Sequence, residues 1–162
     1  MKKLLLSFAL VAFFGLAATA QEQGLIRATG GLAYGTEVEE LGINIGGEYL
    51  ITDVISGGAN FTYFFTPENI TWTEFNIDGK YYFLTDGPYV YGLAGIGIVS
   101  YKVDVDFGPF GSSSVSDSAT GLNIGAGAIF PLSDNFGIQT QLKYNTAYDG
   151  QLVIQGGVAF DF

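Results

Sequence analysis

The chain has no cysteine and no histidine, and only 6 Lys and Arg against 16 Asp and Glu in 162 residues. Without cysteine there is no disulfide framework, no thiolate nucleophile and no Cys-type metal site. Without histidine there is no imidazole for a catalytic triad or dyad. The net charge of −10 argues against a nucleic-acid partner, because phosphate backbones call for clustered Lys and Arg. Charged residues make up only 14% of the chain, fewer than a solvated surface normally carries. No segment after residue 20 is apolar enough for a transmembrane helix, which needs about 20 residues. What the chain has instead is 24 Gly, 14 Phe and 10 Tyr.

The first twenty residues read as a secretory signal. Lys2 and Lys3 precede an apolar run from Leu4 to Leu16, and Ala18-Thr19-Ala20 forms a small-x-small cleavage site. The expected domain organisation is therefore a cleaved signal over 1–20 and one mature domain over 21–162. In that domain the period is two, and β-branched, aromatic and glycine residues dominate. Eight strands are expected near 25–36, 40–51, 55–65, 70–84, 88–107, 118–132, 136–148 and 151–162. Three alternate connections share one phrase: Thr52-Asp53, Thr85-Asp86 and Ser133-Asp134, each after an aliphatic residue. Such side chains bond to their own backbone and nucleate tight turns. The other end carries Thr36–Glu39, Thr66–Asn69, Gly108–Asp117 and Asp149-Gly150, of which the third reads as the longest loop.

Sorting the strands by parity gives one large apolar face and one small or polar face. A soluble sandwich would bury the apolar face; a membrane barrel turns it to lipid. The polar face is rich in Gly, Asn and Gln, and Arg27, Lys80, Lys102 and Lys143 are assigned to it. The apolar face ends in aromatics. Tyr49, Tyr81, Tyr89 and Tyr91 lie near the short-turn end, with Phe83, Phe130, Phe136, Phe160 and Phe162. Tyr34, Tyr63, Tyr101, Tyr144 and Tyr148 lie near the other end, with Phe65 and Phe107. Two such bands read as interfacial girdles. A sheet in lipid must close, so the expected fold is an all-β, eight-stranded, antiparallel up-and-down transmembrane barrel.

The chain at this point resembles the small outer-membrane β-barrel proteins of Gram-negative bacteria, the group that includes OmpX and the transmembrane domain of OmpA. The most specific element is the ending Gly156-Gly157-Val158-Ala159-Phe160-Asp161-Phe162. The resemblance implies that Phe160 and Phe162 act as a signal for the barrel assembly machinery. It also implies periplasmic termini, external long connections, and contact with outer-membrane lipid and lipopolysaccharide. Outer-membrane barrel enzymes of the deacylase, palmitoyltransferase, omptin and phospholipase kinds all rely on a histidine that this chain lacks.

The candidate site is the interior polar set. Arg27 and Glu48 fall at one level across the first hairpin, Asp78 and Lys80 are i,i+2 neighbours, and Glu74 and Lys143 face each other from distant strands. An ionic plug is the leading reading. The alternatives are a narrow channel for ions or small solutes and a barrel for small apolar ligands, toward which only Trp72 and Tyr82 point. A catalytic carboxylate pair, Glu74 with Asp78, has basic neighbours and no cleft. Ile96 and Ile98 are placed inward, in favour of a packed lumen. Glu37, Glu39, Glu40, Glu68, Asp104, Asp106, Asp117 and Asp149 make the outer rim acidic without a regular Ca²⁺-loop spacing. The GxxGxG at Gly92–Gly97 is not followed by a helix, so it is not a dinucleotide site. The expectation is a monomeric, non-enzymatic envelope protein with a structural or surface-interaction role, no cofactor and no metal.

Overall fold

A computed structural model describes residues 22–106 and 112–162. The expected signal segment, Gln21, Phe107 and the sequence from 108 to 111 lie outside these. The described chain forms a closed barrel in simple sequence order. Its strands are β1 (Ile26–Gly35), β2 (Glu40–Leu50), β3 (Ile55–Phe64), β4 (Ile70–Leu84), β5 (Tyr89–Asp106), β6 (Ser112–Ser133), β7 (Phe136–Asn145) and β8 (Gln151–Asp161). Every neighbouring pair is antiparallel, and β1 closes onto β8 from Arg27↔Asp161 to Gly35↔Val153.

Alternation decides which side chain goes where. Ile43, Ile45, Tyr49, Phe61, Tyr63, Phe75, Ile77, Tyr81, Ile124, Leu142, Tyr144 and Ile154 all stand on the outer surface. Arg27, Asn44, Glu48, Thr62, Glu74, Asn76, Asp78, Asn123, Gln141, Lys143 and Gln155 are buried inside. The barrel is thus inverted relative to a soluble protein, as a lipid-facing wall requires.

The first of the tight turns works as its composition implies. Thr52 Oγ1 accepts the backbone N–H groups of Val54 and Ile55 at 3.3 and 3.0 Å. Asp53 reaches further and accepts the N–H of Gln23 at 2.9 Å, pinning the segment before β1 to the first turn.

Two expectations are corrected. The parity of β5 is reversed: Tyr89, Tyr91, Leu93 and Val99 point inward, while Ile96 and Ile98 face outward at 54% and 43% exposure. Lys102 moves with them to the outer face, where it pairs with Asp104. Both parities of β5 carry apolar residues, so the sequence offers no contrast; the ladder with β4 sets the choice by pairing Tyr91 with the inward Tyr82. The second correction concerns the Ser-rich segment. Ser112–Asp117 is strand, and the pairs Val103↔Val115 and Val105↔Ser113 carry the β5–β6 hairpin beyond the start of β4 at Ile70↔Val103. Serine has low strand preference by itself, but an alternating valine strand opposite supplies the ladder.

The seam between first and last strands is built from glycine. A Cβ on Gly157 would fall on the carbonyl oxygen and Cα of Gly30 and Gly31, and one on Gly31 would fall on Gly156 and Gly157. Overpacking of this kind typically costs about 1–3 kcal/mol. Gly157→Ala is expected to lose stability in that range, read by urea unfolding in lipid vesicles through the fluorescence of the single tryptophan, Trp72. A variant as stable as the parent would show that the seam has room.

Candidate functional site

Three layers of polar side chains fill the lumen. The first lies at the short-turn end and locks the seam. Arg27 donates Nε to Asp161 Oδ1 at 2.6 Å and a terminal nitrogen to Oδ2 at 2.8 Å. Its other terminal nitrogen donates to the Tyr82 hydroxyl at 3.0 Å and sits 3.7 Å from Glu48. Glu48 also accepts from the Tyr82 hydroxyl and from the Lys80 ammonium. Aromatic faces surround the cations: Arg27 lies 5.4 Å from the Tyr89 ring, and Lys80 Nζ lies 4.6 Å from that of Tyr91. A desolvated cation over a ring gains from the ring quadrupole as well as from its counter-ion.

The middle layer is a belt of amides. Asn145 donates to Asn123, Asn123 to Asn76, and Asn76 to Asn60, at 2.6, 2.9 and 3.0 Å. Asn44 donates to Thr62 Oγ1 at 2.8 Å. Asp78 takes its hydrogen bonds from Asn60 and Asn123 at 3.0 and 2.7 Å. Gly97 makes this possible, because a Cβ there would collide with Asn76, Asn123 and Asn145. Beside the belt, Gln139 donates to the Tyr91 hydroxyl, which donates on to Gln141 Oε1, and Gln141 donates to Gln155. A cavity of about 20 Å³ bordered by Asp78, Lys80, Gln139 and Gln155 has the size of one water molecule.

The third layer is the ion pair of Lys143 and Glu74, 3.3 Å apart with both side chains at 0% exposure. Gln151 donates to the second oxygen of Glu74. Ala33, Phe64 and Val153 pack above it, with Val38 and Trp72 against them. Over the mouth, Trp72 stacks on Tyr101 at 6.0 Å, and Tyr148 leans against both at 6.3 and 5.9 Å. The Tyr148 hydroxyl is held above its ordinary range by desolvation and by the Asp117 carboxylate, which accepts its hydrogen bond.

The structure brings Arg27, Glu48 and Lys80 into one cluster and joins Glu74 to Lys143. Lys80 borders the same small cavity as its i,i+2 neighbour Asp78, and its ammonium goes to Glu48. Of the tyrosines assigned to the girdles, Tyr34, Tyr49, Tyr63, Tyr81 and Tyr144 stand on the outer surface, as do Phe160 and Phe162. Tyr91 is a lumen residue, and Tyr101 and Tyr148 cap the mouth with Trp72. Tyr91 and Tyr101 follow the reversed parity of β5; Tyr148 sits in the β7–β8 turn with φ 53°, which swings it off the strand line. The sequence reading also missed Asp161, although its position on the polar face of the last strand marks it. The Asn and Gln belt was legible as polarity, but not as a connected network.

A closed antiparallel barrel with an apolar exterior and a hydrogen-bonded ionic interior is the architecture of a transmembrane β-barrel. The sequence profile of the outer membrane protein beta-barrel domain matches residues 6–162, and the chain belongs to that family. The family implies an integral outer-membrane location. Among solved structures, the N-terminal β-barrel domain of Pseudomonas aeruginosa OprF aligns at 19% identity and TM-score 0.68, over 87% of this chain and 98% of that one. Yersinia pestis Ail, solved in complex with the heparin analogue sucrose octasulfate, aligns at 22% identity and TM-score 0.65, over 86% and 99%. Neisserial surface protein A aligns at 18% identity and TM-score 0.60, over 85% and 96%. At these identities the likeness is one of fold. No curated protein sequence matches the chain.

Removing one member of a buried ion pair leaves an uncompensated charge and typically costs about 3–5 kcal/mol, whereas replacing both members is often neutral. Glu74→Leu is expected to destabilise by that amount, and Glu74→Leu with Lys143→Met to recover most of it, measured by the same urea unfolding. Equal losses in the single and double variants would mean that the two charges do not depend on each other.

Proposed function

We propose that the protein is a non-enzymatic structural component of the outer membrane, a barrel with a plugged lumen that strengthens the envelope and presents its long hairpin at the surface. The observation that carries this reading is the complete burial of Lys143 and Glu74 inside the lumen. A continuous water path would wet these side chains and weaken the pair by screening. The Asn belt beneath them, drawn from β2, β3, β4, β6 and β7, supports a filled cross-section. The absence of histidine and cysteine supports the non-enzymatic reading.

The positive start, apolar run and Ala18-Thr19-Ala20 support export through a cleaved signal into the envelope of a Gram-negative cell. Periplasmic termini then place the β5–β6 hairpin outside. Phe162, 74% exposed with its ring 4.9 Å from that of Phe160, supports recognition of the last strand by the assembly machinery. We take the barrel to act as a monomer.

The refolded protein is expected to be silent in planar lipid bilayers. Regular conductance steps from wild-type protein, altered by Glu74→Ala or Lys143→Ala, would replace the plug with a gated narrow channel. Deleting Phe162 is expected to lower the amount of assembled barrel in cells several-fold without preventing refolding from urea in vitro. Normal assembly of the truncated chain would remove the C-terminal signal from the reading.

A further inference from the structure

We propose that the lumen binds one monovalent alkali cation, held by the Asp78 carboxylate and the Gln139 carbonyl oxygen between the ionic layer at the short-turn end and the amide belt. The first observation is a charge left over. Below the aromatic mouth, the lumen cations can be matched one for one: Arg27 with Asp161, Lys80 with Glu48, and Lys143 with Glu74. Asp78 is 4% exposed and makes no ion pair among the described residues. Its two oxygens take only neutral amide donors, Asn60 and Asn123. A buried charge is costly unless it is paired or coordinates a metal. One monovalent cation brings these charges into balance; a divalent one would overshoot.

The second observation does not depend on charge. Two cavities of about 20 and 10 Å³ adjoin, with Thr29, Asn44, Gln139 and Gln155 bordering both and Asp78 bordering the larger. Gln139 and Gln155 are nine-tenths buried, yet Gln139 Oε1 and Gln155 Nε2 have no hydrogen-bond partner. The opposite atom of each amide is engaged: Gln139 Nε2 donates to Tyr91, and Gln155 Oε1 accepts from Gln141. Those bonds fix which end of each amide is left over. The carbonyl oxygen of Gln139 suits a cation shared with Asp78. The amide donor of Gln155 suits a water whose oxygen also faces the ion. Each cavity is about what one water-sized particle needs. The Thr29 hydroxyl and the Asn44 amide add oxygen to the shared wall, and an all-oxygen shell suits a hard cation.

The neighbouring charges leave this place to Asp78. Lys80 borders the larger cavity, but its ammonium is committed to Glu48 and lies 4.6 Å from the Tyr91 ring. Glu48 in turn is held by Arg27, Lys80 and Tyr82.

This inference rests on the plugged-lumen reading, and the two fail separately. A conducting lumen shows as current steps in a bilayer, whereas an ion-free site shows only in the folding equilibrium. The test is urea unfolding of the refolded protein in lipid vesicles, in sodium or potassium chloride against choline chloride. Equal ionic strength cancels the screening of surface charges, and choline is too large for the cavities. Because only the folded chain forms the site, a tenfold rise in alkali cation above its dissociation constant is expected to raise the folded-to-unfolded ratio about tenfold. Asp78→Asn is expected to abolish this dependence and Gln139→Met to move it to several-fold higher salt, while Thr140→Leu, on the outer wall, keeps it. Equal ratios in all three salts for the wild-type protein would overturn the proposal without recourse to any variant and leave water alone in the cavities. A folded Asp78→Asn variant with the full dependence would overturn it as well, because the ion would then lie elsewhere.

Discussion

A chain that crosses a membrane as strands has no water with which to satisfy its backbone. Each unpaired N–H or C=O in hydrocarbon costs several kcal/mol, so the sheet must close on itself. Here closure falls on β1 and β8, and both backbone and side chains serve it. Gly31 and Gly157, where a Cβ would strike the opposite backbone, let the two strands approach, and Arg27 grips Asp161 with two parallel hydrogen bonds at the end of the ladder. The rest of the barrel inherits its layout from this requirement. Once the wall is closed, every second side chain must face lipid and the others must share a lumen just wide enough for them to fill.

Filling that lumen with polar groups sets a second condition. A buried charge or amide without a partner is costly, whereas a fully connected network is rigid. The three lumen cations, Arg27, Lys80 and Lys143, each meet a carboxylate, and Asp78 is held by Asn60 and Asn123. Tyrosines do double service inside. Tyr82 links Arg27 to Glu48, and Tyr91 lies under Lys80 while bridging Gln139 and Gln141. The apolar bodies of these rings fill volume and their hydroxyls join the network, while the buried Ser56 hydroxyl at the same end stands without a partner. Such an interior favours one side-chain arrangement over many.

The same architecture recurs in OprF, Ail and NspA at 18–22% identity. That divergence is understandable when the wall needs only alternation and closure, and when many polar sets can fill the lumen. What distinguishes one such protein from another then lies where the membrane imposes least. In this chain that place is the β5–β6 hairpin, where two strands of 18 and 22 residues outrun their neighbours and lift a hydroxyl-rich face off the apolar wall.

The sequence by itself determined the all-β class, the number of strands, the positions of the Thr-Asp and Ser-Asp turns, and the inversion of the apolar face toward lipid. These follow from local chemistry: a period of two, turn residues at fixed offsets, and an apolar face bounded by aromatics. It also marked Arg27, Glu48, Glu74, Asp78, Lys80 and Lys143 as interior, because charge on the polar parity of a membrane strand has nowhere else to go. Tertiary structure decided what parity and composition left ambiguous. The face of β5 was settled by its ladder with β4, since Tyr91 and Ile96 are both acceptable on a lipid-facing wall and only pairing with Tyr82 turns Tyr91 inward. The Ser112–Asp117 strand exists because of the valines opposite it. The pairing of Lys80 with Glu48 and the clasp between Arg27 and Asp161 depend on the registers that bring distant strands together around the lumen, and a register between strands is a property of the closed barrel rather than of any one segment.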